Sequence, residues 1–370
     1  MAHLRKRPSK DGPRWEATWR DPDGRARTKT FAKRAAADQW LTKVGNDLAT
    51  GTYVDPAAGR QTFGEYAARW KAAQIHRPTT TAQVESYLRQ HLLPHFGDRP
   101  LASIRPSEVQ AWVKGRSQVL AASSVETLFR YLSAILRAAV ADRVIPSNPA
   151  AGVKLPRVNA APIVPIGGDV VFALVDGVPD RYRALVVTAA GTGLRQGELF
   201  GLRLSAVDFL RRSLRVERAL SLVSGEPFLG PPKTQASFRT VPLPDVVLES
   251  LSGHLTAFPV NPNGFVFTDH RGRPIRRNRF SETWRASVRQ AGLPPVHFHE
   301  LRHYYASLLI RAGESVKVVQ SRLGHASASE TLDTYSHLWP DSEDRTRQAV
   351  DGLLTRPPAT AGLPLRGVST

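Results

Sequence analysis

His299-Glu300-Leu301-Arg302-His303 is the stretch on which the reading of this chain turns. Read as H-E-x-x-H on a helix, it sets His299 and His303 one turn apart, the spacing of a zinc site with a glutamate base. Read as H-x-x-R, it sets an imidazole and a guanidinium three residues apart on one helical face, both able to meet an anion. A zinc site needs a third ligand. Glu314 and Glu330 are available carboxylates, but neither lies in a second motif. The zinc reading also leaves Arg302 without a purpose.

Four other segments support the anion reading. Gly191-Thr192-Gly193-Leu194-Arg195-Gln196-Gly197-Glu198-Leu199 puts one arginine at the start of an apolar-periodic helix. Pro232-Lys233-Thr234-Gln235-Ala236-Ser237-Phe238-Arg239-Thr240-Val241-Pro242-Leu243 puts a lysine in a turn between strands. Leu323-Gly324-His325-Ala326-Ser327 presents a histidine at a helix junction, and Thr331-Leu332-Asp333-Thr334-Tyr335-Ser336-His337 a tyrosine before another helix. Taken singly these are bland. Arg195 would be a helix-surface charge, Lys233 a turn lysine, His325 a helix cap and Tyr335 a packed core aromatic.

Taken together and in this order, they resemble the tyrosine recombinases, the phage-type integrases. The family pattern is Arg, Lys, His-x-x-Arg, His, Tyr, and Arg195, Lys233, His299, Arg302, His325 and Tyr335 fill all six positions. Glu300 stands where many members have Asp, a conservative departure. The resemblance covers 169–345. It extends more weakly to 59–157, similar to the family's helical core-binding domain, and to 1–58, similar to an arm-type DNA-binding domain. It implies a Tyr335 nucleophile, a Lys233 general acid, His299 placed for proton transfer with the tyrosine oxygen, and His325 bonded to phosphate. Glu198 is expected to orient the site, and His303 and His337 to play supporting or structural roles.

The chemistry makes sense of this set. Rejoining DNA without ATP requires the phosphodiester energy to be stored covalently. A tyrosine hydroxyl can hold it as a 3′-phosphotyrosine, but with a pKa of ~10 it is barely ionised at neutral pH and needs help. Two arginine forks can clamp the non-bridging oxygens, at about 1.5–3 kcal/mol per charge-assisted bond. The departing 5′-alkoxide is strongly basic and must be protonated. The guanidinium groups do a metal's electrostatic work, so neither metal nor other cofactor is expected.

Charge agrees. Among 370 residues, 51 Lys and Arg face 32 Asp and Glu, a formal net charge of +19, which suits a polyanionic partner. Cysteine is absent, which excludes disulfides, thiolate nucleophiles and cysteine-ligated metals. The basic start, Met1 to Pro8, lacks the apolar run of a signal peptide, and no membrane span or membrane partner is expected. A cytoplasmic, nucleoid-associated location follows as an expectation.

The expected fold is multidomain α+β. Residues 1–58 read as a small sheet plus a helix. Trp15 to Arg20 and Arg25 to Phe31 alternate around an Asp21-Pro22-Asp23-Gly24 turn, with a possible third strand at Leu4 to Pro8 and a helix from about Lys33 to Ala49. Arg25, Arg27 and Lys29 are expected on one strand face, with Lys33 and Arg34 beside them, as DNA contacts. Residues 59–157 read as a helical bundle with starts at Thr62, Thr80 or Thr81, Pro106, and a capping box at Ser123 to Glu126. Residues 158–168 read as a linker, bordered by basic Lys154 and Arg157, also expected at DNA. Residues 169–354 form the mixed catalytic domain, with strands at Ser213 to Arg218, Arg239 to Leu243 and Phe265 to Thr268, and 355–370 a frayed tail.

The function implied is site-specific recombination through a Holliday junction, integrating or excising a phage or mobile element. The partners implied are double-stranded DNA with core-type and arm-type sites, a homotetramer on DNA, and accessory DNA-bending and excisionase proteins. A type IB topoisomerase-like enzyme and a non-catalytic DNA-binding regulator are the alternatives, the intact residue set arguing against the second.

Overall fold

The computed structural model describes residues 2–8, 12–55, 57–158, 162–223, 225–339, 347, 350 and 351. The expected tail, 355–370, lies outside the described residues. The chain divides into two compact units, Met1–Ala160 and Ala161–Thr370.

The first unit opens with three strands, β1 (His3–Arg7), β2 (Arg14–Arg20) and β3 (Ala26–Phe31), paired antiparallel in that order, and helix α1 (Arg34–Ala49). Asp21 shapes the second turn: its Oδ1 accepts the Arg25 N–H at 2.8 Å and its Oδ2 the Arg27 Nε at 2.9 Å. Strand periodicity puts Trp15, Ala17 and Trp19 on one face, and Trp40 of α1 packs there, its ring 6.0 Å from that of Trp19. The Trp19 indole donates to the Tyr53 hydroxyl at 2.9 Å, closing this small core.

The register places the residues of the expected basic face. Trp19 pairs with Arg27 and Ala17 with Lys29, so these two basic residues share a face as expected, the face on which Trp40 of α1 packs. There Lys29 Nζ sits 3.6 Å from the Trp40 ring centre, and Arg27 is ion-paired with Asp21 and with Asp55 at 2.7 Å. Arg25 precedes the strand and is exposed. Arg34 lies over the Trp15 ring and near Asp38, and exposed Lys33 is the residue before α1. The opposite face of the sheet carries Arg5, Arg7, Arg14 and Arg20 with Thr18, Thr28 and Thr30.

A second core in this unit belongs to helices α2 (Phe63–Ala73), α3 (Pro78–Tyr87), α4 (Leu93–Phe96), α5 (Pro106–Ser117) and α6 (Ala122–Ala141), with a π-helical turn, Leu88–Leu92, running from α3 into α4. Thr62 caps α2 in a reciprocal box with Glu65. The helix expected from Thr80 starts earlier, at Pro78, because proline at the first turn has its φ already set for a helix. The expected box at Ser123 is not formed, since α6 begins one residue earlier and Ser123 lies inside its first turn. The basic stretch before the expected linker is tethered: the Lys154 N–H donates to Gln110 Oε1 at 2.9 Å and its carbonyl accepts from Gln110 Nε2 at 3.1 Å. Lys154 and Arg157 are both exposed.

The second unit begins with α7 (Gly168–Gly177), α8 (Asp180–Thr192) and α9 (Gln196–Phe200). Strands β4 (Val207–Asp208), β5 (Ser213–Val216), β6 (Ala219–Val223), β7 (Glu226–Gly230) and β8 (Arg239–Pro242) follow. They form an antiparallel β4-β5-β8 sheet and a β6-β7 hairpin. Lys233 lies between strands, as expected, in the connection from the β6-β7 hairpin back to the three-stranded sheet. The expected strand at Phe265 to Thr268 makes only isolated bridges, Arg203 with Phe265 and Thr268 with Pro274. Helices α10 (Asp245–Ala257), α11 (Arg277–Gln290), α12 (Glu300–Arg311), α13 (Val316–Leu323) and α14 (Ala328–Tyr335) complete the unit. Its main core joins Leu185, Leu199, Leu214, Val241, Leu251 and Leu301, and a smaller one gathers Tyr305, Ile310, Val319, Leu323 and Tyr335. Among the described residues no helix is long and apolar enough to cross a membrane.

Ile135 of α6 has no exposed surface and sits among Leu128, Leu132 and Leu136. Ile135→Ala is expected to cost about 2–5 kcal/mol, read as a lowered midpoint in chemical unfolding of the full chain.

Candidate active site

Helices α8 and α13 each end on a glycine in the left-handed region, Gly193 at φ 63° and Gly324 at φ 67°. Neither position has room for a side chain. A Cβ at Gly193 would come within 2.4 Å of the Tyr305 ring, and one at Gly324 within 2.9 Å of Arg239 Nη1. The carbonyls at such helix ends lack intrahelical partners and carry partial negative charge. Guanidinium groups take them here. Arg302, 3% exposed, donates to the carbonyls of Gly193 and Leu323 at 2.7 Å each. Arg195, the residue before α9, donates to the Gly324 carbonyl at 3.2 Å.

Beneath them lies Glu198, one turn into α9. Its Oε1 meets Arg195 Nη1 at 3.2 Å, and its Oε2 accepts the Arg195 N–H at 2.9 Å and Arg239 Nη2 at 2.8 Å. Burial pushes the Glu198 carboxyl up, but Arg239 and then Arg195 outweigh it and hold the group below the usual carboxylate range. Arg239 also donates through Nε to the Arg322 carbonyl at 2.8 Å, tying β8 to the end of α13. The expected orienting role of Glu198 thus has a geometric basis. Nothing in the sequence marks Arg239, because a buried arginine inside a strand signal looks like any other charge.

Tyr335 closes α14 with 1% of its surface exposed. Its hydroxyl is hydrogen-bonded to His303 Nδ1 at 2.8 Å. Burial pushes the phenol up to about 12, with Arg302 and Arg195 opposing the rise. His325, also buried, lies parallel to the Tyr335 ring at 6.3 Å and is held through Nδ1 by Thr331 Oγ1 at 2.8 Å. His299 precedes α12, exposed on one side and packed into the site on the other, its ring edge-on to His303 at 4.9 Å. His303 thus meets the tyrosine oxygen, the contact expected of His299. His337 bonds the Ile163 carbonyl at 2.8 Å, away from Tyr335, in keeping with a structural role. Lys233 is exposed on its connecting segment.

Both His299 and His325 are pushed down to about 4, first by the protein packed around them, then by neighbouring charge, His303 and Arg302 for the former and Arg302 for the latter. A histidine whose folded pKa lies below its unfolded value of ~6.5 binds a proton more readily in the unfolded chain. Stability is therefore full above that value and falls as pH drops from ~6.5 toward 4. The thermal midpoint of the full chain should decline over this window, and more shallowly in His325→Asn. Glu198→Gln leaves two guanidinium groups facing a neutral amide. It should destabilise the protein by about 3–5 kcal/mol, measured by chemical unfolding.

Residues 168–341 match the phage integrase family, and residues 62–116 match the N-terminal SAM-like domain of phage integrases. A prophage phiRv2 integrase of Mycobacterium tuberculosis is 30% identical over 338 residues, covering 88% of this chain and 88% of its own. The fold is shared with the Tn1549 transposon integrase solved with a circular intermediate DNA, at a TM-score of 0.69 and 21% identity over 79% of this chain and 99% of that one. It is shared also with lambda integrase, solved as a tetramer bound to a Holliday junction, at a TM-score of 0.59 and 20% identity over 88% of this chain and 96% of that one. With its arginine clamp, its tyrosine and these relatives, the chain belongs to the phage integrase family, the tyrosine recombinases.

Proposed function

We propose that this protein cleaves and rejoins DNA at specific sites through a 3′-phosphotyrosine on Tyr335, integrating or excising a phage or mobile element. The observation that carries this reading is the convergence of Tyr335, Arg302, Arg195 and His325 around the ends of α8 and α13. The two guanidinium groups clamp the non-bridging oxygens of the scissile phosphate and stabilise the charge gathered in the transition state. His325, fixed by Thr331, donates a hydrogen bond to that phosphate. Lys233 protonates the departing 5′-oxygen. A homotetramer would hold two DNA sites through the Holliday-junction stage, as the lambda integrase tetramer holds its junction. An arm-type site, a DNA-bending protein and an excisionase complete the proposed assembly.

The uncovered face of the N-terminal sheet suits arm-site binding better than the face expected from sequence. Arg5, Arg14 and Arg20 with Thr18, Thr28 and Thr30 form a polar surface of a kind that enters a DNA groove as a β-ribbon, in which the one carboxylate among the described residues, Glu16, is ion-paired with Arg7. Arg27 is held by Asp21 and Asp55, and Lys29 lies against the Trp40 ring while remaining exposed. Exposed Lys154 and Arg157 are proposed as phosphate contacts near core-type DNA.

Three measurements test this. Tyr335→Phe should form no covalent adduct on a nicked suicide substrate while binding DNA almost as the parent does; an adduct in this variant would sink the assignment. Lys233→Ala should cleave a substrate with a bridging 5′-sulfur nearly as fast as the parent, because a thiolate departs without a proton, whereas Arg195→Ala should fail on both substrates. Arg5→Ala and Arg14→Ala should each flatten the log–log salt dependence of arm-site affinity by about one unit. An unchanged slope in both would remove the sheet face from the interface.

A further inference from the structure

The expected proton partner of the nucleophile is His299, yet the group on the phenol is His303. His303 Nδ1 lies 2.8 Å from the Tyr335 hydroxyl, and the two rings meet edge-on with centres 5.6 Å apart. His325 is differently engaged: it lies parallel to the tyrosine ring, and its Nδ1 is taken by Thr331. His299 stands beside His303, ring edge to ring face, at the solvent side of the pair.

We propose that His303 is a catalytic residue: its Nδ1 takes the Tyr335 proton as the phenol oxygen attacks phosphorus, and returns it when the strand is rejoined. This rests on the reading of Tyr335 as nucleophile. In cleavage the Tyr335 Oη–P bond forms and the P–O5′ bond breaks. The phenol proton passes to His303 Nδ1, and Lys233 gives a proton to the 5′-oxygen. In religation the 5′-hydroxyl attacks and returns its proton to Lys233. The departing phenolate then recovers its proton from the His303 imidazolium. Charge and protons balance in both directions with no other reactant.

The surroundings suit this task. The ring faces Arg302 and Glu300 from its own helix, His299 from the residue before that helix, and Tyr335 from α14. Burial, then Arg302, depress its pKa below the usual histidine value, with Glu300 opposing, so the imidazole is neutral and free to accept a proton at neutral pH. The phenol needs an acceptor, since burial raises its own pKa to about 12. Attack relieves this mismatch: as the oxygen bonds to phosphorus its proton becomes far more acidic, and an acceptor already in contact takes it without rearrangement.

The experiment is single-turnover cleavage of a suicide substrate by the full chain, with tyrosine or 3,5-difluorotyrosine incorporated at position 335. Mass mapping of the wild-type adduct to Tyr335 checks the underlying reading by itself. His303→Ala should lower the rate of adduct formation by about 10²-fold, with DNA binding unchanged. His303→Asn keeps a hydrogen-bond acceptor near the phenol but cannot carry the proton, and should be similarly slow. The more acidic difluorotyrosine needs less help, so both variants should recover to within about tenfold of the His303 protein carrying the same tyrosine. If His303→Asn cleaves at the wild-type rate, His303 only positions the tyrosine. If the defect is the same with either tyrosine, no proton passes through His303. Either result overturns the proposal.

Discussion

The active site depends on one buried carboxylate. Glu198 is the one acidic side chain fully buried among the described residues of the second unit, and it touches both Arg195 and Arg239. Three guanidinium groups, those of Arg195, Arg239 and Arg302, crowd into a small volume where their mutual repulsion is poorly screened. A single carboxylate makes their approach tolerable without cancelling it. The cluster retains an excess of positive charge, and that excess is what a phosphodiester would meet. Removing Glu198 would scatter the arginines. A second acid beside it would halve the excess.

Backbone geometry supplies the other half of the restraint. Arg302 spans the carboxyl ends of α8 and α13 by donating to Gly193 and Leu323, so two helices that are remote in sequence are stapled by one side chain. The negative ends of the helices face the cation, which favours the contact electrostatically. Both glycines serve this arrangement. A side chain at either would drive into Tyr305 or Arg239 and would strain a left-handed backbone. The positions of the clamp are thus decided by where two helices stop.

Much of this was legible in the sequence, and the reasons for the rest are physical. The order Arg195, Lys233, His299, Arg302, His325, Tyr335 was readable because local chemistry and spacing survive in one dimension. The helix starts at Thr62 and Pro106 were readable from capping chemistry. What was not legible depended on long-range partners. Period two correctly put Arg27 and Lys29 on one face, but which face α1 covers is settled by Trp40, Asp21 and Asp55, none of them adjacent in the strand. His303 looked like a bystander one residue beyond the motif, and only the packing of α14 against α12 brings it to Tyr335. Arg239 follows Lys233 within the same strand-forming stretch, and nothing local distinguishes a buried arginine from an exposed one.

Lys233 sits on a segment that is restrained on both sides. Pro231 and Pro232 fix φ before it, and after it the hydroxyls of Thr234 and Ser237 meet at 2.9 Å, with Ser237 buried and Arg239 anchored to Glu198. The backbone has little freedom to swing, while the side chain is exposed and long. If Lys233 serves the 5′-oxygen as proposed, its search would be a matter of rotamer hops, on the picosecond-to-nanosecond scale, and not of loop rearrangement in microseconds to milliseconds. Delivery of the leaving-group proton would then keep pace with any chemistry the clamp permits, and slow steps in the recombination cycle would belong to the DNA and to the assembly.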